Sequence, residues 1–302
     1  MHKKYLIVVV GPTAIGKTSL GIELARHFNT EIISADSRQF FKEMTIGTAV
    51  PTEGELHAAK HHFIQHISVE EDYSVGDFER DALQKLKKLF LKHDVVVMVG
   101  GSGLYVDAVV KGLDEFPEIE PHIKGDLKKE LEEKGLKKLQ EELKIKDPEY
   151  YSEVDLQNPH RVIRALEICR GTGKPYSAFR KRTTKNRFFD TLYVGLTSER
   201  EIVYDRINRR VDIMMQQGLL EEADALFPQR KLNALNTVGY KELFKYLNKE
   251  WDLETAIGEI KKNTRRFAKR QYTWFRKNEQ INWFDISTPP AKILTFVEEE
   301  IT

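Results

Sequence analysis

GPTAIGKT, residues 11–18, stands between six apolar residues, YLIVVV (Tyr5–Val10), and an amphipathic run, KTSLGIELARHF. A continuous apolar run marks a strand buried on both faces. In the run that follows, Leu20, Leu24 and Phe28 fall on one side at helical spacing. The glycines between them let the backbone curl so that successive N–H groups point inward. The helix opening near Lys17 adds the positive end of its dipole. GxxxxGK[ST] in this setting reads as a phosphate cradle formed by Gly11, Pro12, Thr13, Ala14, Ile15, Gly16, Lys17 and Thr18. Lys17 places a charge against terminal phosphate oxygens, and the Thr18 hydroxyl can join the shell of a Mg²⁺ ion. The alternative is a glycine-containing turn that binds nothing.

Further along, EIISAD reads as a second strand, FERDALQKLKKLFLKHD as a long amphipathic helix, VVVMVGG as a third strand and TLYVGLT (191–197) as a fourth. Strand, helix and strand at these lengths predict an α/β fold, with a P-loop NTPase-like core and a parallel, doubly wound sheet flanked by helices. Between the third and fourth strands the texture changes. DLKKELEEKGLKKLQEEL is a charged helix pair broken at Gly135, and NPHRVIRALEICRGTG is a helix beginning near Pro159 and stopping at Gly171–Gly173. Residues 113–187 are therefore expected to form a helical insertion domain, contacting tRNA by the resemblance given below. The core is assigned to 1–112 and 188–302. Helices follow the fourth strand, including a long one from Asp252 towards Phe275. PPAKILTFVEEEIT is expected to run from strand to helix.

A chain of 302 residues is long enough for one large domain or two modest ones. A formal net charge of +1 excludes no partner, because only a local excess of one sign attracts nucleic acid. The single cysteine, Cys169, excludes an internal disulfide and a cysteine-rich zinc site, and lies in a helical pattern suited to packing. The opening apolar run is too short for a signal-peptide core. No run approaches the ~20 apolar residues of a membrane span. A cytoplasmic chain that acts as a monomer is expected.

Phosphate binding does not define a reaction. A nucleotide hydrolase carries a magnesium-binding aspartate at the end of a later strand, whereas VVVMVGGSGLY runs straight into glycines. Asp94 stands at the wrong end of that strand, since ligands gather at the carboxyl ends. Asp36, after EIISA, reaches the right edge. It is placed to take a proton from a nucleophile while phosphate or pyrophosphate leaves. Alternatively, Asp36 only caps the next turn.

GPTAIGKT, SADSRQFFKEMTIGTAVPT, HHF, DYSVGDFERDA, VGGSGLY, NPHRVIRALEI, TVGYKE and TRRFAKRQYTWFRK occur in this order, and together they resemble the tRNA dimethylallyltransferases. The resemblance implies transfer of a prenyl group from dimethylallyl pyrophosphate to the exocyclic amine of an adenosine. That adenosine lies 3′ of the anticodon in tRNAs reading codons that start with U. It further implies that the loop holds the pyrophosphate leaving group with Mg²⁺, that Asp36 is the base, and that an arginine placed at Arg210, with Arg206 as competitor, contacts pyrophosphate. Lys17 and Thr18 join the catalytic set. The anticodon stem-loop would meet Asp36, Ser37, Arg38 and Gln39, which read the flipped adenine. It would also meet Ser102 and the segment Gln157, Asn158, Pro159, His160 and Arg161. Pro159 could instead simply start a helix, and the Gly100–Gly103 turn only permit close packing. Where Ile15 departs from the family pattern little effect is expected, and Phe40 and Phe41 leave hydrophobic packing intact but remove a hydroxyl.

Lys261 to Lys277 is basic without an acid, and Arg266, Lys269 and Arg270 share a helical face that could track a phosphate backbone. Phe267, Trp274 and Phe275 are expected in the core. RKRTTKNR, residues 180–187, is a second acid-free stretch. His57, His61, His62 and His66 have helical zinc spacing but lack an H-E-x-x-H frame, so structural or substrate-path roles are expected. A small-molecule or nucleoside kinase is the alternative function; it explains GPTAIGKT but not the basic stretches. A GTPase-like switch lacks both its magnesium aspartate and N-K-x-D.

Overall fold

The computed structural model describes residues 3–181 and 184–301. Six strands form one parallel sheet: β1 (Tyr5–Val10), β2 (Ile32–Ser34), β3 (His61–His62), β4 (Val95–Val99), β5 (Asp190–Thr197) and β6 (Ile281–Asp285), in the order β3-β2-β4-β1-β5-β6. β1 lies at the centre, with Leu6 opposite Val96 and Thr191. Successive side chains of a strand point to opposite faces. Leu6, Val8 and Val10 pack on one face with Phe40, Phe78, Met98 and Tyr240, and Ile7 and Val9 pack on the other with Leu24, Val97, Val194 and Val297. Two covered faces explain why these strands read as unbroken apolar runs rather than alternating ones.

Helices α1 (Lys17–His27), α2 (Glu53–Ala58), α3 (Val75–Leu89) and α4 (Gly103–Val110) follow the first four strands in turn. α3 opens with a capping box in which Ser74 and Asp77 satisfy each other's backbone N–H groups. The chain divides into two compact units, one running to Val110 and resuming at Asn186, the other Lys111–Lys185. The second unit holds α5 (Pro121–Lys146), α6 (Pro148–Glu153) and α7 (Pro159–Thr172) around Leu127, Leu139, Leu143, Val162 and Leu166. Gly135 breaks α5 with φ 74 and ψ 169, a conformation open essentially to glycine alone. Arg170 ties the two halves together, donating to Glu130 at 2.8 Å and to Glu142 at 2.5 Å.

In the first unit the chain continues through α8 (Arg200–Gln216), α9 (Leu219–Leu226), α10 (Tyr240–Leu247), α11 (Leu253–Phe275) and α12 (Pro290–Ile301). Beyond the four strands read from the sequence the sheet gains β3 and β6. INWFD forms the sixth strand, β6, at the sheet edge. One expectation changes: the final segment PPAKILTFVEEEIT holds only a helix, α12. The histidine segment leaves the helix at Ala58, so its four-residue spacing does not stack side chains on one helical face. Among the described residues, no helix is long and apolar enough to cross a membrane.

Candidate active site

The phosphate loop joins the carboxyl end of β1 to α1. Gly16, at φ 105, turns the chain into the helix, and Ile15 is buried in the core beneath. Lys17 Nζ donates to the Pro12 carbonyl at 2.7 Å. Burial pushes the Lys17 ammonium down to about 8, helped by Arg210 and opposed by Asp36. Arg206 Nε donates to the Ala14 carbonyl at 2.8 Å, so this arginine braces the loop from outside. Arg210, one turn later, lines the cavity in front of the loop; burial and then Arg206 hold its pKa below the usual range.

β2 ends on the same edge and delivers Asp36. Burial raises this carboxyl above the ordinary aspartate value, against the pull of the Arg38 N–H and the charges of Lys17, Arg38 and Arg210. Arg38 donates to the Ala234 carbonyl at 3.0 Å. Ser37 N–H donates to Ser102 Oγ at 3.1 Å, and the two hydroxyls lie 3.2 Å apart, joining the turns after β2 and β4. Gly100 makes that approach possible, because a methyl there would sit 2.3 Å from the Ala35 carbonyl oxygen.

Between these turns opens a cavity of about 480 Å³. Thr13, Asp36, Ser37, Arg38, Arg210 and Gln271 contribute polar groups to its lining, and Met214, Leu219, Val238 and Ile260 apolar ones. A lining of this kind suits a ligand that is part anion and part apolar, with the half-buried Asp36 carboxyl facing it. Among the described residues no three His, Cys, Asp or Glu side chains gather to hold a metal. The Thr18 hydroxyl at the start of α1 is a hard oxygen donor, which fits a Mg²⁺ held mostly by a ligand's own phosphate oxygens.

The structure redistributes several expected roles. Gln39 does not line the cavity. Its Nε2 donates to the Thr48 and Ala49 carbonyls at 3.1 and 2.8 Å, which occupies both amide hydrogens in shaping the wall. Asn158 caps α7 by accepting from Arg161 N–H, and Pro159 takes the first helical position, while Gln157, His160 and Arg161 are exposed in the second unit. Arg266, Lys269 and Arg270 are exposed on α11, and Arg270 also reaches the cavity. Phe275 is buried as expected, but Phe267 and Trp274 are 37% and 40% exposed and line the cavity mouth. Helical spacing in α11 aims them at a cleft that only the tertiary fold creates.

In residues 180–187, Arg182 and Thr183 lie outside the described residues. Arg180, Lys185 and Arg187 pair with Glu153, Glu115 and Glu79, so these three cations are already engaged within the protein. Of the histidines, His57 and His61 turn to the Glu53 and Ala59 carbonyls, His62 meets Glu31 at 2.5 Å, and His66 packs among Phe40, Phe63 and Tyr73. Gln271 escaped the reading of the sequence. It is buried on α11, accepts from Thr13 N–H at 2.8 Å and donates to the Gly101 carbonyl at 2.9 Å, stitching the phosphate loop to the turn after β4.

Comparison with known proteins identifies relatives of the whole chain. Residues 39–278 match the family described as IPP transferase. The chain is 61% identical to the tRNA dimethylallyltransferase of Christiangramia forsetii, over 98% of each chain. It is similar to the crystal structure of the tRNA isopentenylpyrophosphate transferase of Bacillus halodurans, with a TM-score of 0.74 and 36% identity over 99% of this chain and 97% of that one. A eukaryotic dimethylallyltransferase solved in the course of acting on tRNA superposes with a TM-score of 0.84 at 26% identity, over 99% of this chain and 80% of that one. The family model spans most of the chain and the relatives match it over nearly its whole length, so the chain belongs to the IPP transferase family.

Proposed function

We propose that this protein transfers a dimethylallyl group from dimethylallyl pyrophosphate to the exocyclic amine of the adenosine 3′ of the anticodon, in tRNAs reading codons that start with U. The observation carrying this reading is the half-buried Asp36 carboxyl, held above its ordinary pKa by burial against the charges of Lys17, Arg38 and Arg210, on the wall of a cavity whose exposed lining is largely apolar. An adenine amine is a poor nucleophile because its lone pair is delocalised, whereas an allylic pyrophosphate spreads developing positive charge over its double bond. As nitrogen bonds to the allylic carbon, the carbon–oxygen bond breaks and its electron pair leaves on pyrophosphate. Asp36 takes the proton from nitrogen, and its raised pKa strengthens it as a base. Backbone N–H groups of Ala14 to Thr18, with Lys17 and Arg210, receive the leaving charge, since Pro12 has no N–H and that of Thr13 is engaged by Gln271. Arg210 is preferred over Arg206, whose Nε is already engaged with the loop. When bound, Mg²⁺ would neutralise further pyrophosphate charge, with the Thr18 hydroxyl as its protein ligand.

The target base must leave its stack to enter the cavity. Ser37 and Arg38, with Ser102 behind Ser37, address its edge, and Gln39 supports the wall. Gln157, His160 and Arg161 in one unit and Arg266 and Arg270 in the other contact the anticodon stem-loop. On this reading the enzyme is a monomer that meets its tRNA substrate in the cytoplasm. The kinase alternative is not favoured, since the relatives named above are tRNA transferases.

The test is direct. Purified protein is mixed with tRNA and either dimethylallyl pyrophosphate or ATP, and the RNA is digested and weighed by mass spectrometry. One adenosine should gain one prenyl unit, with the isoprenoid only. Unmodified RNA together with phosphorylation of a small metabolite would refute the reading.

A further inference from the structure

Three successive backbone N–H groups converge on one side chain outside the catalytic set. Glu222, on α9, accepts from Thr45 N–H at 3.0 Å and Ile46 N–H at 2.8 Å through Oε2. Through Oε1 it accepts from Gly47 N–H at 2.8 Å and from the Tyr240 hydroxyl at 2.6 Å. A carboxylate offers about four lone-pair sites, so this one is saturated, and hydrogen bonds to an ionised acceptor are the strong ones. Tyr240 is fully buried beneath the turn; a methyl on Gly47 would lie 2.6 Å from its ring and hydroxyl. From the opposite side, the Gln39 amide holds the Thr48 and Ala49 carbonyls. Ala49 sits at φ 52, a left-handed geometry that persists in a residue with a Cβ only where its surroundings over-determine it.

This clamped turn is also part of the site. Gly47, Thr48 and Ala49 wall the cavity together with Asp36, Ser37 and Arg38. Through Gln39 the wall is tied to the same turn that carries Asp36, so it belongs to the acceptor half of the cavity. We propose that Glu222 is a positioning residue for the transfer: by clamping the 47–49 turn it sets the acceptor adenosine against Asp36. The proposal rests on the reaction put forward above.

The experiment compares full-length wild type with Glu222→Ala, Glu222→Gln and Tyr240→Phe, using an anticodon stem-loop RNA and dimethylallyl pyrophosphate. In Glu222→Ala, kcat/KM for the RNA should fall about tenfold or more, because a displaced wall misplaces the nucleophile. KM for the isoprenoid should stay within about twofold, since its phosphates are held elsewhere. Tyr240→Phe keeps the three backbone donors and should show a smaller fall in the same parameter. Glu222→Gln keeps side-chain volume and one acceptor oxygen, and carries the same readout if the alanine variant does not fold. Equal changes for both substrates, or a lower melting temperature with both kinetic constants unmoved, would reduce Glu222 to a structural residue and overturn the proposal. An active wild type with unmoved variants sinks only the role of Glu222; a wild type that modifies no RNA sinks the transfer reading with it.

Discussion

Asp36 and Lys17 stand half-buried at the same sheet edge, and each is shifted towards its neutral form. Burial raises the folded-state pKa of Asp36. The resulting contribution to stability is present below the unfolded aspartate value and is lost as pH rises through the folded one. At neutral pH Asp36→Asn should therefore raise the melting temperature, with the gain over wild type shrinking in acid. The same change should lower kcat by about 10²- to 10⁴-fold, the usual reach of a general base. Scanning calorimetry and single-turnover assays read the two effects, and a variant that keeps its turnover would remove Asp36 from the mechanism. The Lys17 ammonium, depressed to about 8 by burial, must be protonated to grip an anion. The advantage of wild type over Lys17→Met in binding inorganic pyrophosphate should shrink as pH rises through that value, as titration calorimetry at several pH values would record.

Helix α11 carries two jobs on one scaffold. Its buried side supplies Gln271 and Phe275, and its exposed side Arg266, Lys269 and Arg270. Reversing the charges of those three residues should weaken RNA binding. For every phosphate that no longer meets a cation, the slope of log affinity against log salt should also flatten by about one. An unchanged slope in filter-binding titrations would make the stripe a solvated face. The helix was legible as an element because Asp252 caps it and its apolar positions recur at helical spacing. Its functional face was not. Gln271 is one amide in a basic run, and its partner Thr13 lies 258 residues away. β6 was missed for a related reason: as an edge strand its middle residues, Asn282, Trp283 and Phe284, are only half-buried, so INWFD lacks the apolar continuity that marked β1 and β4.

At the scale of the molecule, two units have separate cores, and the cavity belongs to the first. Leu166→Ala should destabilise the second unit by about 2–5 kcal/mol, the usual cost of emptying a leucine site. Inorganic pyrophosphate should still bind, because residues 11–18 and Arg210 lie in the first; hydrogen exchange and titration calorimetry measure the two separately. Much of this organisation was readable in order along the chain. GPTAIGKT between strand and helix, Asp36 at a carboxyl-end edge, and the helical texture after the third strand all follow from rules that act over a few residues. Backbone geometry, side-chain period and turn chemistry are local. Folding in space made the other choices: Arg210 rather than Arg206 at the cavity, Gln39 as a wall support, Gln271 across two loops, and Glu222 gathering the amides of a turn some 175 residues away. Hydrogen bonds and burial between distant segments leave no period in a sequence, since their geometry exists only once the sheet has brought the strand ends together.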